Sequence, residues 1–571
     1  MEEFDLVVIG AGWNGLAATK TYIQLHPTEN VVVIDSAESI GGVWSQERLY
    51  PGLKSNNMLG TYEFSDFPMD EETYGIKTGQ HMPGAVLHRY LTDYAERFIS
   101  KRVRLRTKVD TAEQDESGAW LLRTSCEGEI GTLRTQRLIV ATGVTSEPAV
   151  PQFQGQESFA APIFHAKDFR QRDDTLVTCR SVTVVGGAKS AWDAAYAFAE
   201  AGIYVDLIIR ESGRGPVWMA PPYVTPLKKW LESLLTTRLL TWFSPCIWGD
   251  EDGYGLIRWF LHGTWVGRKI VDAFWHILAE DVKALNGYDK HPETKKLKPW
   301  NSAFWVASSL SILNYPTDFF ELVRCRQIRV HIASITHLSA RTVHLSDGQA
   351  LPADALLCAT GWKATPPLTF LPPGSAASLG LPHTTKLASA LVEKANATIL
   401  SLFPRLKSQP PVPHRTEYAN TSHPFRLYRL IAPPTHVCSP HHHHHHRTLA
   451  FAGMTMTTCT ALMAQTQALW ISAYFDGALT RVPADAAAAT WSALLHSQFG
   501  RWRYPLGYGA RVPDFAFDVL PYVDMLLRDL GLRTRRKGSW WRDILSPHGV
   551  EDYRGLVEEW AEKEGRKVKG V

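Results

Sequence analysis

Gly10, Gly12 and Gly15 follow an apolar run, Leu6–Ile9, and open a helical pattern over Leu16–Leu25. Glycine at the first two positions allows a tight turn and lets the backbone approach a pyrophosphate; the third lets helix and strand pack closely. The helix start then offers unpaired N–H groups and a partial positive charge to phosphates. A second apolar run, Val31–Ile34, ends at Asp35, about 20 residues past Gly15, where a carboxylate accepts hydrogen bonds from a ribose hydroxyl. Ser36 follows it. Strand, turn, helix and acid all fall where a dinucleotide site needs them.

A second stretch repeats the pattern with the opposite charge. Val182–Val185 runs into Gly186-Gly187-Ala188-Lys189-Ser190-Ala191, then a helix to Ala201, then Tyr204–Ile209 ending at Arg210. Ala188 stands where the second glycine is expected, and its methyl group either pushes a phosphate outward or requires a shifted turn. A guanidinium at Arg210 pairs bidentately with a 2′-phosphate, which favours NADP over NAD; the alternative is a solvated arginine. Arg214 is placed to join it. Gly186, Lys189 and Ser190 complete this candidate set. The N-terminal position of the first site favours FAD there, by analogy of fold. Two nucleotide sites in one chain point to electrons passing from one cofactor to the other, the work of an oxidoreductase.

Seven cysteines are scattered along the chain with no CxxC pair. A flavoprotein that reduces disulfides needs a vicinal dithiol, so electrons must leave the flavin for another acceptor, of which dioxygen is the obvious one. The 571 residues, 45% apolar and 20% charged, describe a globular chain with ample core. A net charge of +3 argues for neither nucleic acid nor an anionic membrane. No signal peptide and no transmembrane run is expected, which reads as a soluble, cytoplasmic protein.

These residues, with several others, resemble the flavin-containing monooxygenases (class B, single-component), and within them the fungal secondary-metabolism members. The resemblance runs from residue 4 to about residue 560. Gly41-Gly42-Val43-Trp44 is similar to the GGxW element beneath the flavin, and Ser55-Asn56 with Phe64-Ser65-Asp66-Phe67-Pro68 to the SN…FSDFP segment. Ala141-Thr142-Gly143 and Ala359-Thr360-Gly361-Trp362 resemble the two ATG hinges between domains, and Phe159–Arg170 the FxGxxxHSxxYK fingerprint. Ala161, Ala166 and Phe169-Arg170 depart from that fingerprint. The resemblance implies FAD and NADPH as cofactors, with Gly42, Trp44, Ala141, Thr142, Gly143, Thr360 and Gly361 beside them. It implies that dioxygen adds at the flavin C4a carbon, that the hydroperoxide oxygenates a small organic substrate, and that Asn56 steadies the adduct. Phe169-Arg170, an aromatic and a basic residue, favours N- or S-oxygenation, hydroxylation or epoxidation over Baeyer–Villiger chemistry. A Baeyer–Villiger-type oxygenase, a flavin-binding protein without oxygenase turnover and an uncoupled NADPH oxidase are the alternatives. Asn56 as a loop cap and His165 as a residue ordering a hinge are the structural alternatives.

The fold class expected is α/β, with two Rossmann-like dinucleotide-binding domains. The FAD domain is read as discontinuous, 1–165 and 335–571, the second part including a C-terminal helical region. Between them lies the NADPH domain, 166–334, with a tryptophan-rich helical insertion at about 216–318. Ile270, Phe274, Leu278 and Val282 recur every four residues, as one apolar helix face. Leu227, Leu231, Leu234 and Leu235 form another beside Lys228 and Lys229. Such helices serve as a lid, as a membrane-surface contact, or as a cover for the NADPH domain. His441–His446 reads as a low-complexity surface loop, with no metal site. Arg533–Lys537 reads as solvated.

Overall fold

The computed structural model describes residues 1–224, 228–363, 365–383, 389–411, 424–438 and 447–568. Leu227 and His441–His446 lie outside them. Two sheets carry the molecule, each built on one of the glycine turns. In the first, β1 (Glu2–Ile9) lies parallel between β2 (Val31–Ile34) and β3 (Glu129–Val140), with Val7 opposite Val32 on one side and Leu138 on the other. Helix α1 (Trp13–Leu25) joins β1 to β2. The short strand Val103–Arg104 extends the β2 edge. Beyond β3 the sheet turns antiparallel through Trp120–Cys126 and Thr107–Gln114, and Leu449–Phe451 lies parallel on β3.

Strand alternation sends the residues of β1 to two cores. Leu6 and Val8 meet α1 and the helix Thr460–Phe475, while Val7 and Ile9 meet Trp120, Leu449 and Phe451. A parallel strand is apolar where both its faces are covered, as β1 is over Leu6–Ile9. Helix Thr460–Phe475 is buried nearly all round, which matches its apolar and uncharged sequence.

The second sheet is parallel throughout. It runs Ile328–Ile332, then Tyr204–Ile209, then Ser181–Val185, then Ala355–Cys358, then Ile163–His165. Its glycine turn joins β4 (Ser181–Val185) to α2 (Lys189–Glu200) and β5 (Tyr204–Ile209). Because 163–165 and 355–358 pair here, this sheet reaches past both ends of the expected 166–334 span. The antiparallel strands at 335–352 share its core too, since Leu338, Val343 and Leu345 pack with Val185 and Ile208.

Met219–Ala220 pairs in parallel with Ser311–Ile312 and closes the insertion at its base. Within it stand α3 (Gly255–Gly263) and α4 (Trp265–Asn286). Four-residue steps advance by about 40° around a helix. The line from Ile270 to Val282 therefore starts in solvent at Ile270 and meets the core from Phe274 onward. The buried face of α4 runs instead through Gly267, Val271, Trp275, Ala279 and Val282. The insertion also covers more than the second sheet: Trp275 and Phe304 pack with Phe403, Phe499 and Phe517. Arg238 is buried between Asp524 and Asp543 and ties the insertion to the C-terminal helices. Arg536, expected in solvent, is buried beside Glu559 at 2.8 Å, because that carboxylate and the Asp552 carbonyl neutralise it.

The third glycine of the first turn is the tightest point in this scaffold. A Cβ on Gly15 would lie 1.8 Å from the Gly10 carbonyl oxygen. Gly15→Ala should lower unfolding free energy by roughly 3 kcal/mol or more, whereas Ala188→Gly should change it by at most about 1 kcal/mol. Chemical denaturation of the two variants checks the contrast.

Candidate functional site

Each sheet makes the same backbone contact at its glycine turn. Gly10 has φ +112°, and a Cβ there would sit 2.4 Å from the Ala141 carbonyl oxygen. Gly186 has φ +148°, and its Cβ would sit 2.5 Å from the Ala359 carbonyl oxygen. The two alanines are placed alike: Ala141 N–H donates to Ile9 O and Ala359 N–H to Val185 O, both at 2.8 Å. The residue before each helix is alike as well, Gly12 at φ −91°, ψ −172° and Ala188 at φ −93°, ψ 177°. Of the two outcomes expected of Ala188, the shifted turn does not occur, since any L-residue adopts this extended conformation. Neither helix start has a side-chain cap, so the first N–H groups of both are open to an anion.

Around the first turn the candidate residues converge. Gly41 N–H donates to Ala11 O at 3.0 Å, and a Cβ on Gly42 would lie 3.1 Å from Gly12 Cα, so the 41–44 loop lies directly on the turn. Trp44 is buried, its indole N–H 3.3 Å from the Tyr62 hydroxyl. Asp35 accepts from Ala11 N–H at 2.6 Å and from Ala37 N–H at 2.9 Å. Burial pushes its carboxyl above the usual range, and each oxygen keeps acceptor capacity for a hydroxyl. Ser36 is exposed beside it. The Thr142 hydroxyl is buried with no hydrogen-bond partner among the described residues, and Gly143, at φ +68°, borders open space. Asn56 is half-buried, and its amide makes no hydrogen bond among the described residues. A turn that admits no Cβ, an orphaned hydroxyl and an uncommitted amide fit a bound nucleotide with a ring system.

The chain leaving the first Ala-Thr-Gly segment is stitched to the second at Ala149. Ala149 N–H donates to Gly361 O at 3.0 Å, and the Thr360 hydroxyl donates to Ala149 O at 2.6 Å. His165 Nδ1 accepts from Lys167 N–H at 3.0 Å, which leaves Nε2–H to donate to Gly361 O at 3.1 Å. Burial lowers the His165 pKa and favours this neutral form. His165 thus orders the hinge. Phe169 is buried against Tyr50 and Phe198, and Arg170 pairs with Asp173 at the surface.

At the second turn, Arg210 is exposed at the end of β5 with no partner among the described residues, and Ser190 is exposed at the start of α2. Lys189 is committed elsewhere. Its ammonium donates to Asp193, to Asn314 Oδ1 at 2.9 Å and to the Tyr315 hydroxyl at 3.3 Å. Asp193 accepts from the Tyr50 and Tyr315 hydroxyls at 3.0 and 2.9 Å. Asn314 donates to Ser55 O at 2.9 Å, so this network joins α2 to the residue preceding Asn56. Of its members only Lys189 was read from the sequence. The i,i+4 spacing of Lys189 and Asp193 was the available signal.

Glu232 was also missed. It is buried on the insertion's helix Leu231–Leu235 and accepts from Met58 N–H at 3.0 Å, the Thr61 hydroxyl at 3.1 Å and the Trp230 indole at 2.8 Å. A carboxylate beside the stripe of Leu231, Leu234 and Leu235 was its only mark in the sequence. Among the described residues no group of three or more His, Cys, Asp or Glu is placed to hold a metal ion.

The pattern of the family described as Pyridine nucleotide-disulphide oxidoreductase matches residues 7–239. An FAD-dependent monooxygenase of Pyrenophora dematioidea is 35% identical over 560 residues, covering 94% of this chain and 99% of the relative. One from Aspergillus sclerotiorum is 34% identical over 596 residues, covering 99% and 100%. In fold the chain is similar to the closed crystal structure of cyclohexanone monooxygenase, with a TM-score of 0.59 at 17% identity and both chains fully covered. It is also similar to an oxidized steroid monooxygenase bound to NADP, with a TM-score of 0.56 at 16% identity and 99% of each chain covered.

Burial raises the Glu232 carboxyl from 4.5 to about 7. The folded protein then holds this proton after the unfolded chain has released it, so stability from this group declines as pH rises from 4.5 to about 7 and is level above. Glu232→Gln removes that slope. Relative to wild type, the variant should gain roughly 2 kcal/mol of unfolding free energy across the interval. Paired denaturation curves at its two ends measure the difference.

Proposed function

The chain belongs to the FAD-dependent monooxygenases, and from that premise we propose that it binds FAD at the Gly10 turn and NADPH at the Gly186 turn. With dioxygen, it oxygenates a small organic metabolite of fungal natural-product biosynthesis by N- or S-oxygenation, hydroxylation or epoxidation. The observation that carries this reading is the repeated turn, two glycine sites abutting two Ala-Thr-Gly segments, with the chain leaving the first stitched to the second. The FAD domain is taken as the first sheet with the C-terminal helices, and the NADPH domain as the second sheet.

When bound, the flavin supplies the redox chemistry, taking a hydride from the nicotinamide and activating dioxygen. The protein supplies position and dryness. Gly10, Gly12 and Gly15 admit the FAD pyrophosphate to the N–H groups at the start of α1, and Asp35 with Ser36 takes the ribose side. Gly42 and Trp44 close the turn from above, and Ala141, Thr142 and Gly143 line the strand exit, where the Thr142 hydroxyl gains its missing partner. The free amide of Asn56 can both donate and accept, so it orients the reacting oxygen. At the second site Gly186 and Ser190 receive the NADPH pyrophosphate, and Arg210 pairs with the 2′-phosphate. Thr360 and Gly361 set the spacing of the two sites. Lys189 acts as a positioning residue in the seam and not as a phosphate ligand.

Purified protein should carry flavin and consume NADPH with formation of an oxygenated product. Colourless protein that takes up no flavin, or NADPH oxidation yielding only peroxide, defeats the proposal. Arg210→Ala should raise KM for NADPH roughly tenfold or more with kcat and the KM for NADH little changed. Asn56→Ala should keep NADPH consumption while moving the yield from product to hydrogen peroxide; unchanged coupling removes Asn56 from the site.

A further inference from the structure

The outer face of the insertion has the wrong polarity for a helix pair facing water. On α3, Leu256 is 85% and Trp259 65% exposed; on α4, Trp265 is 68% and Ile277 62% exposed. Val266, Ile270, Ala273 and Ile277 are all exposed and share one side of α4 at steps of four, three and four residues. The opposite side, through Val271, Trp275 and Ala279, is already buried. Both faces of α4 are thus apolar, whereas a helix with one face in solvent is polar there. A contiguous exposed patch of this kind marks a contact surface.

Charge indicates what the surface meets. Between residues 255 and 277 the one acid is Asp272, and it is paired with Arg405. Lys269 is exposed within the patch. Arg268, Lys269 and Arg405, three cations against the one carboxylate of Asp272, line with Trp265 and Trp305 an open cavity of about 450 Å³ at its edge. We propose that this face of α3 and α4 rests on an anionic lipid bilayer, the apolar side chains entering the headgroup boundary and the basic cavity receiving lipid phosphates. Indole rings suit that boundary, having an apolar body and a polar N–H. Basic groups beside an apolar helix face add attraction to anionic lipids. The attraction is local, so it does not require a large net charge. Among the described residues no helix is long and apolar enough to cross a membrane, so the contact lies on the surface.

Co-sedimentation of the full-length holoprotein with vesicles tests this. Wild type should pellet with phosphatidylcholine vesicles containing phosphatidylserine, less with pure phosphatidylcholine, and less with rising salt. The triple substitution Leu256→Ser, Trp259→Ser, Trp265→Ser should weaken binding to the mixed vesicles at least roughly tenfold. All three side chains are exposed, so the flavin spectrum and thermal midpoint should be retained. Lys269→Glu provides an arm that leaves the apolar face intact, and it should weaken binding to the mixed vesicles only. The proposal is overturned if wild type stays in the supernatant with both vesicles, or if the triple variant or Lys269→Glu pellets with the mixed vesicles as wild type does. It is equally overturned if wild type is a dimer that the triple substitution dissociates and neither form binds vesicles.

Discussion

A glycine pressed against an alanine carbonyl, once in each sheet, is the contact on which the rest of the arrangement depends. Gly10 against Ala141 and Gly186 against Ala359 bring a strand exit within backbone distance of the turn that opens a helix. No side chain fits between them, and the positive φ at both glycines is itself unfavourable for other residues. The consequence is geometric. Each Ala-Thr-Gly segment leaves its sheet beside a helix start, so the chain leaving the first can run toward the second and be stitched to it through Ala149, Thr360 and Gly361. The spacing of the two turns follows from contacts in which few side chains take part.

The strand Lys54–Met58 lies at the junction of all three parts of the molecule. Asn314 holds it at Ser55 from the end of the insertion, backed by Lys189 and Asp193 on α2. Glu232 holds it at Met58 from the insertion's first helix. Asn56 sits between these anchors with its own amide uncommitted. A side chain that must meet a ligand in one orientation gains from neighbours fixed by hydrogen bonds while it makes none itself. Burial of Glu232 strengthens its bonds, because water does not compete for them.

What the sequence made legible was local. The strand–turn–helix units around Gly10 and Gly186, the charge at Asp35 and Arg210, and the Ala-Thr-Gly pairs each occupy a short span, and their spacing is fixed by the geometry they serve. The Lys189 network was not legible, because Ser55 and Asn314 are 259 residues apart and Lys189 and Asn314 are 125 apart. Nothing in an isolated lysine after a glycine turn distinguishes a phosphate ligand from an ion pair across a seam. One residue of the apolar line on α4 was misplaced for a different reason: Ile270 is exposed, while Phe274, Leu278 and Val282 meet the core. Steps of four residues wind slowly around the helix, by about 40° each, so a line of them can begin in solvent and run into the core.

The insertion is not a loosely attached hairpin, and this bears on how its outer face should be understood. Arg258 is buried and bonds Asp252 at 2.6 Å and both polar atoms of Thr241 at 2.9 Å. Arg503, also buried, bonds the Ser244 hydroxyl at 2.9 Å and the Phe304 carbonyl from a helix of the C-terminal region. Arg238 closes the base between Asp524 and Asp543. Withdrawing Arg238 from its two carboxylates leaves uncompensated charge, a penalty of roughly 3–5 kcal/mol. Arg238 and Arg503 hold the inner face of the insertion in one register against the C-terminal helices, and Arg258 braces the insertion internally. The tryptophans and leucine on its outer side are therefore presented by a rigid platform. Their exposure is a property of the folded molecule and not of a frayed edge.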